Sequence, residues 1–173
     1  MRCFIALDIS GQAKDEIERI QKQIPDFSGK LTERENLHLT FKFLGEIPDE
    51  KFEEAKKNLK KIKFKSFDAK LGSLGVFSED AVRIIWVWLE NCDELQKEID
   101  EKLKDVFPKE KRFMSHLTIA RVKSIENKGR FLSQLKNIRV NPITFKVRSF
   151  SLKQSTLTPE GPVYGDLVKV KLV

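Results

Sequence analysis

Short apolar or alternating runs, separated by stretches of helical periodicity, recur in the same order in both halves of the chain. The run from Arg2 to Asp8 is almost continuously apolar and stops at Ser10-Gly11, the pattern of a buried strand. After it, Ala13, Ile17, Ile20 and Ile24 return at helical spacing, with Ser10 placed to cap the helix and Pro25 to end it. From Asn36 to Leu44, Leu37, Leu39, Phe41 and Phe43 alternate with His38, Thr40 and Lys42. That alternation predicts a half-buried strand whose open face carries the histidine and the threonine, closed by Gly45 and Pro48. Phe52, Ala55, Leu59 and Ile62 define the apolar face of a second helix over about 49–62, and a strand over 66–77 completes the first half.

The second half predicts a strand over 82–89, then a helix opened by the capping-box-like Asn91-Cys92-Asp93-Glu94, with Leu95, Ile99, Leu103 and Val106 as its apolar stripe. A strand over 115–122, a helix over 127–135 and strands over 144–153 and 163–172 follow. The order is βαβαβ twice over, plus a final strand. A shift of 78 residues lays His38-Leu39-Thr40 on His116-Leu117-Thr118, Ser66-Phe67 on Thr144-Phe145, and Leu74 on Leu152. We read this as an internal duplication. The expected fold is α+β: one domain over residues 1–173 built of two pseudo-symmetric lobes, each a mostly antiparallel sheet with helices on its outer face, and a cleft between them. Only Ser78-Glu79-Asp80 separates the halves, so the lobes are expected to pack tightly.

Composition narrows the setting. At 173 residues, 40% hydrophobic and 34% charged, the chain can bury a real core, which argues against disorder. Lys plus Arg exceed Asp plus Glu by 33 to 26, and the resulting +7 favours polyanionic partners. Eight lysines between Lys51 and Lys70 lie largely on the solvent face of the second helix, interrupted by Glu53 and Glu54. Such runs are mostly solvated, and without an RNP-like aromatic pattern or a Gly-rich phosphate loop this one lends electrostatic help and does not read sequence. Cys3 and Cys92 are far apart and form no C-x-x-C pair, as expected of reduced structural thiols in the cytoplasm. The opening apolar run is too short for a signal peptide or a membrane span, so a soluble, cytoplasmic protein with no membrane partner is expected.

The only two histidines open the two His-Leu-Thr tripeptides. On a strand, residues i and i+2 share a face, so each tripeptide presents an imidazole and a hydroxyl together while its leucine enters the core. If the two strands converge, the four groups suit a phosphodiester: hydroxyls for its oxygens, one imidazole to take a proton from water and one imidazolium to protonate the leaving oxygen. Packing alone could also have preserved a duplicated pattern. Two histidines with distant cysteines lack the compact third-ligand spacing of zinc motifs, so neither metal nor other cofactor is expected. Strict alternation from His116 sends Arg121 to the opposite face, and only a bulge or a strand end would bring it to the histidines. Otherwise Arg121 reads as a surface residue paired with an acid. Phe43, 78 residues before Arg121, reads equally well as core.

His38-Leu39-Thr40-Phe41 and His116-Leu117-Thr118-Ile119 resemble the paired His-x-Thr-x motifs of the two-histidine phosphoesterase superfamily. More closely, the chain resembles its RNA 2′,3′-cyclic phosphodiesterase branch, historically called 2′-5′ RNA ligase. The likeness extends to Arg2-Cys3-Phe4-Ile5-Ala6-Leu7, Phe43-Leu44-Gly45, Ala120-Arg121 and the segment from Leu152 through Pro159-Glu160-Gly161-Pro162-Val163-Tyr164. It implies hydrolysis of a terminal 2′,3′-cyclic phosphate to a 2′-phosphate, with RNA ends or small cyclic-phosphate nucleotides as substrates; no residue pattern marks an oligomeric interface, and a monomer is the expectation. It further implies His38 as proton donor, His116 as proton acceptor, Thr40 and Thr118 as phosphate-positioning residues, Arg121 as a stabiliser of phosphate charge and Phe43 as a base contact. A 2′-5′ ligase running the reverse reaction, a phosphodiesterase for another cyclic nucleotide-derived substrate, and a noncatalytic RNA-binding module are the alternatives.

Overall fold

In the computed structural model, which describes residues 1–173, the chain runs β1 (Arg2–Asp8), α1 (Gly11–Gln21), β2 (Ser28–Leu31), a 3-10 turn (Arg34–Asn36), β3 (His38–Glu46), α2 (Asp49–Leu59) and β4 (Phe67–Val76). It continues through β5 (Ile84–Glu90), α3 (Asp93–Leu103), β6 (His116–Ser124), α4 (Lys128–Lys136), β7 (Thr144–Val147), β8 (Ser149–Thr158) and β9 (Gly161–Lys171). Each helix buries the stripe its periodicity announced: Ala13, Ile17 and Ile20 on α1, Leu95, Ile99 and Leu103 on α3, all fully buried. Ser10 caps α1 as expected, its Oγ accepting from the Ala13 amide at 3.1 Å.

The α+β, antiparallel expectation holds, but the strands form one sheet rather than two. Its order is β7-β4-β5-β6-β3-β1-β8-β9, with β2 beside β6. The halves of the chain exchange strands: β4, from the first half, pairs with β5 and β7, while β8, from the second, pairs with β1 and β9. The sheet curls so that its two ends approach at one corner, where only Arg148 separates β7 from β8 and the Ser66 amide, just before β4, donates to the Val173 carbonyl, just after β9, at 2.8 Å. This curl breaks the predicted 144–153 strand at Arg148, because β7 and β8 hydrogen-bond to opposite ends of the strand order.

Three further expectations are corrected. Phe67 and Phe145 are not equivalents, since their strands are paired neighbours with Phe67 opposite Val147. The strands β4 and β8 stand 82 residues apart, as do β1 and β5 and helices α1 and α3, whereas β3 and β6 stand 78 apart. The longer connection from α1 to β3, which holds β2 and the 3-10 turn, closes the gap, and the longer stretch from β6 to β8, which holds β7, opens it again. The capping box is absent: Cys92 precedes α3 without a side-chain cap, and Asn91 adopts φ +75° and donates from Nδ2 to the Asp68 carbonyl at 3.0 Å. Finally, α2 stops at Leu59, and Ile62 is buried from the turn that follows. No helix is long and apolar enough to cross a membrane.

The helices cover the sheet face that carries Leu39 and Leu117, both wholly inaccessible within a cluster of 36 buried residues. His38 and His116 therefore project from the uncovered face.

Candidate active site

The strands β3 and β6 pair at one point, Leu39 opposite Leu117. Carried one residue each way, that antiparallel register sets His38 across from Thr118 and Thr40 across from His116. The two histidines are then diagonal neighbours, which in a sheet stand about 7–8 Å apart. Beyond this crossing the strands part, and β2 fills the place beside β6, with Lys30 opposite Arg121. Four exposed residues with no apolar alternation gave β2 no signal in the sequence. Its close approach depends on Gly29, where a Cβ would lie 2.2 Å from the Arg121 carbonyl oxygen. The parting opens a cleft of about 780 Å³, lined by His38, Thr40, Phe43, His116, Thr118 and Arg121 together.

Two bulges bring the last of these in. In the β1–β3 pair, Ile5 faces Lys42 and Ala6 faces Thr40, so Phe41 is an extra residue. In the β5–β6 pair, Ile85 faces Ala120 and Trp86 faces Thr118, so Ile119 is extra. Each bulge reverses the alternation downstream of its motif. Phe41 and Lys42 both turn inward, and Phe43 emerges beside His38 and Thr40, 71% exposed, where alternation had placed it in the core. Ile119 and Ala120 are both buried in the same way, and Arg121 emerges on the face of His116 and Thr118.

The backbone fixes both imidazoles alike. His38 Nδ1–H donates to the Asn36 carbonyl at 2.7 Å, and His116 Nδ1–H donates to the Met114 carbonyl at 2.8 Å. With Nδ1 so occupied, Nε2 of each neutral ring carries the lone pair. His38 Nε2 accepts from the Thr40 hydroxyl at 3.0 Å. Burial holds the His38 pKa below the ordinary histidine value; the Asn36 carbonyl and Asp8 oppose this, while Lys153 and Arg121 add to it. Lys153 stays charged beneath the site: burial works against it, but Asp166 at 2.6 Å and Asp8 at 3.1 Å outweigh burial and raise its pKa.

Aromatic rings wall each imidazole. Phe4 and Tyr164 stand 5.2 and 5.1 Å from the His38 ring and 5.0 Å from each other. Phe77 meets His116 edge-on at 4.9 Å and is backed by Trp86, whose ring lies where a Cβ on Gly75 would be, 2.6 Å away. Phe4, Phe77 and Tyr164 all line the cleft, and sequence reasoning did not single out any of them as a site residue. Tyr164 is the lone tyrosine of the chain, the one signal that could have marked it. Burial raises its pKa. Cys3 and Cys92 are buried and unpaired, and no three His, Cys, Asp or Glu side chains gather as a metal-binding group.

Comparison with known proteins agrees across the length of the chain. A family model described as LigT-like phosphoesterase matches residues 7–86 and 89–164. An RNA 2′,3′-cyclic phosphodiesterase of Methanocaldococcus jannaschii is 41% identical over 95% of this chain and 96% of its own length. One of Archaeoglobus fulgidus is 35% identical over 96% and 98%. Among solved structures, TT0787 of Thermus thermophilus superposes with a TM-score of 0.82 over 99% of this chain and 97% of its own, at 26% identity.

Proposed function

The chain belongs to the LigT-like phosphoesterase family, and from that membership we propose that it is an RNA 2′,3′-cyclic phosphodiesterase in which His38 and His116 move the protons. The observation that carries this reading is the convergence of both histidines and both threonines of the repeated motifs on one cleft, each imidazole held through Nδ1 by a backbone carbonyl two residues earlier.

Water attacks phosphorus as His116 Nε2 takes its proton. The bond from phosphorus to the 3′ oxygen breaks, and His38 Nε2–H protonates that oxygen, leaving a 2′-phosphate and a 3′-hydroxyl. Burial disfavours the charged form of His38 in the free protein. The anionic phosphate offsets that penalty, so binding draws a proton onto His38 and arms it as the acid. Protonation also ends Nε2's role as acceptor from Thr40, whose hydroxyl is then free to donate to a phosphate oxygen. Thr118 does the same from the opposite strand, and the Arg121 guanidinium meets the charge that develops on the non-bridging oxygens.

The test is direct. RNA ending in a 2′,3′-cyclic phosphate, incubated with the protein with and without chelator, should yield 2′-phosphate ends at equal rates. No turnover by folded protein would defeat the activity. Turnover lost only with chelator would defeat the metal-free mechanism, and wild-type rates in His38→Ala and His116→Ala would detach the chemistry from the motifs.

A further inference from the structure

Beside the cleft lies a second groove, of about 530 Å³, lined by Leu44, Phe107 and the segment Pro108-Lys109-Glu110-Lys111-Arg112. Lys42, Phe43, Glu110 and Arg112 line both hollows, so the groove continues the cleft past the exposed Phe43 ring. Its cations divide into two kinds. Lys109 is tied to Glu101 at 2.6 Å. Lys111 and Arg112 form no ion pair, and neither does Lys51, which stands outside the lining with its Nζ 5.7 Å from the centroid of the Phe107 ring.

The groove wall is anchored from below. Lys42, turned inward by the bulge at Phe41, donates to the Pro108 carbonyl and to Asp100 Oδ1, each at 2.6 Å, and Asp100 Oδ2 accepts from the Glu110 amide at 2.8 Å. A buried pair of this kind adds little net stability but specifies geometry, here the seat of residues 108–110 against β3.

We infer that this groove carries the single-stranded RNA on the 5′ side of the cyclic phosphate. Phe43 stacks a base at the junction, and Lys51, Lys111 and Arg112 meet backbone phosphates. The inference rests on the activity proposed above and adds the path of the polymer. A cyclic mononucleotide fills the cleft alone, whereas an oligonucleotide occupies both hollows.

The experiment compares a cyclic mononucleotide with a single-stranded octanucleotide ending in 2′,3′-cyclic phosphate, over a range of salt. Wild type, Lys51→Ala/Lys111→Ala and, on another part of the surface, Lys60→Ala/Lys61→Ala are measured. The expected result is a KM for the octanucleotide raised roughly tenfold in the groove variant, with its dependence of log KM on log salt flattened by about 1.4. The KM for the mononucleotide should move far less, and the Lys60/Lys61 variant should match wild type. An unchanged octanucleotide KM in the groove variant overturns the inference, as does an equal loss in both lysine variants, which would mean a diffuse field. Equal wild-type kcat/KM for the two substrates also overturns it while leaving the activity standing. Hydrolysis of neither substrate fails the proposed activity, and this inference with it.

Discussion

Replacing Lys42 by methionine should destabilise the fold far more than an exposed lysine substitution would. The Lys42 side chain is only 2% exposed and its ammonium holds the Asp100 carboxylate, itself 9% exposed. Without the ammonium, Asp100 keeps one hydrogen bond, from the Glu110 amide, and the Pro108 carbonyl loses its donor. Stranding one member of a buried ion pair costs about 3–5 kcal/mol. Methionine retains most of the buried stem, so little of that loss comes from a cavity. In urea, at a slope of ~2 kcal/mol/M, the unfolding midpoint should fall by about 1.5–2.5 M. Lys42→Met/Asp100→Leu removes both charges and leaves the amide of exposed Glu110 within reach of water. The double variant should therefore recover to within about 2 kcal/mol of wild type. Two results would refute the reasoning: a single variant within about 1 kcal/mol of wild type, or a double variant whose loss equals the sum of the two singles.

His38→Gln and His116→Gln should each lower kcat about 10²–10⁴-fold while keeping a cooperative unfolding transition; steady-state kinetics with a cyclic mononucleotide would expose a smaller effect. Phosphate binding at pH 7 should take up a proton on His38, read by calorimetry in buffers of different ionisation enthalpy, and the His38→Gln variant should abolish that uptake. Because the folded pKa of His38 lies below its unfolded value, its contribution to stability is present above about pH 6.5 and is lost as pH falls through the folded pKa. Denaturant titrations between pH 7 and 5 should accordingly show a smaller acid-side decline in His38→Gln. Gly75→Ala should cost about 1–3 kcal/mol, since its Cβ would meet the Trp86 ring at 2.6 Å, and it should slow turnover by disturbing Phe77 behind His116. Burial pushes the Cys92 thiol up to about 12, so a thiol reagent at pH 8 should label it only after unfolding.

The helices, the main strands and the two tripeptides were legible because each rests on a short-range period: Ile17 and Ile20 on one helix face, His38 and Thr40 on one strand face. What escaped was set by pairing between distant strands. Phe43 and Arg121 reach the cleft through bulges at Phe41 and Ile119, and a bulge is a mismatch of register with β1 or β5 that no single strand encodes. Lys42 reads as an exposed strand residue until the same bulge turns it onto Asp100, 58 positions away. Phe4, Phe77 and Tyr164 come from three separate strands or their ends and meet the histidines only through sheet order. β2 has no apolar pattern because it covers an edge and buries nothing.

With β4 and β8 exchanged between the halves, the molecule can come together only late. The strand β1, beside the His38 strand, finds its second neighbour only when Phe4 pairs with Lys153, almost the whole chain away. The lysine that sets the charge beneath His38 arrives with that same strand. A nascent chain therefore cannot assemble this half of the cleft before β8 has emerged, and pairings so remote in sequence are slow to form. Synthesis must have passed β8 before this half of the cleft exists, and a cut between β4 and β5 would leave two fragments that each lack a strand held by the other.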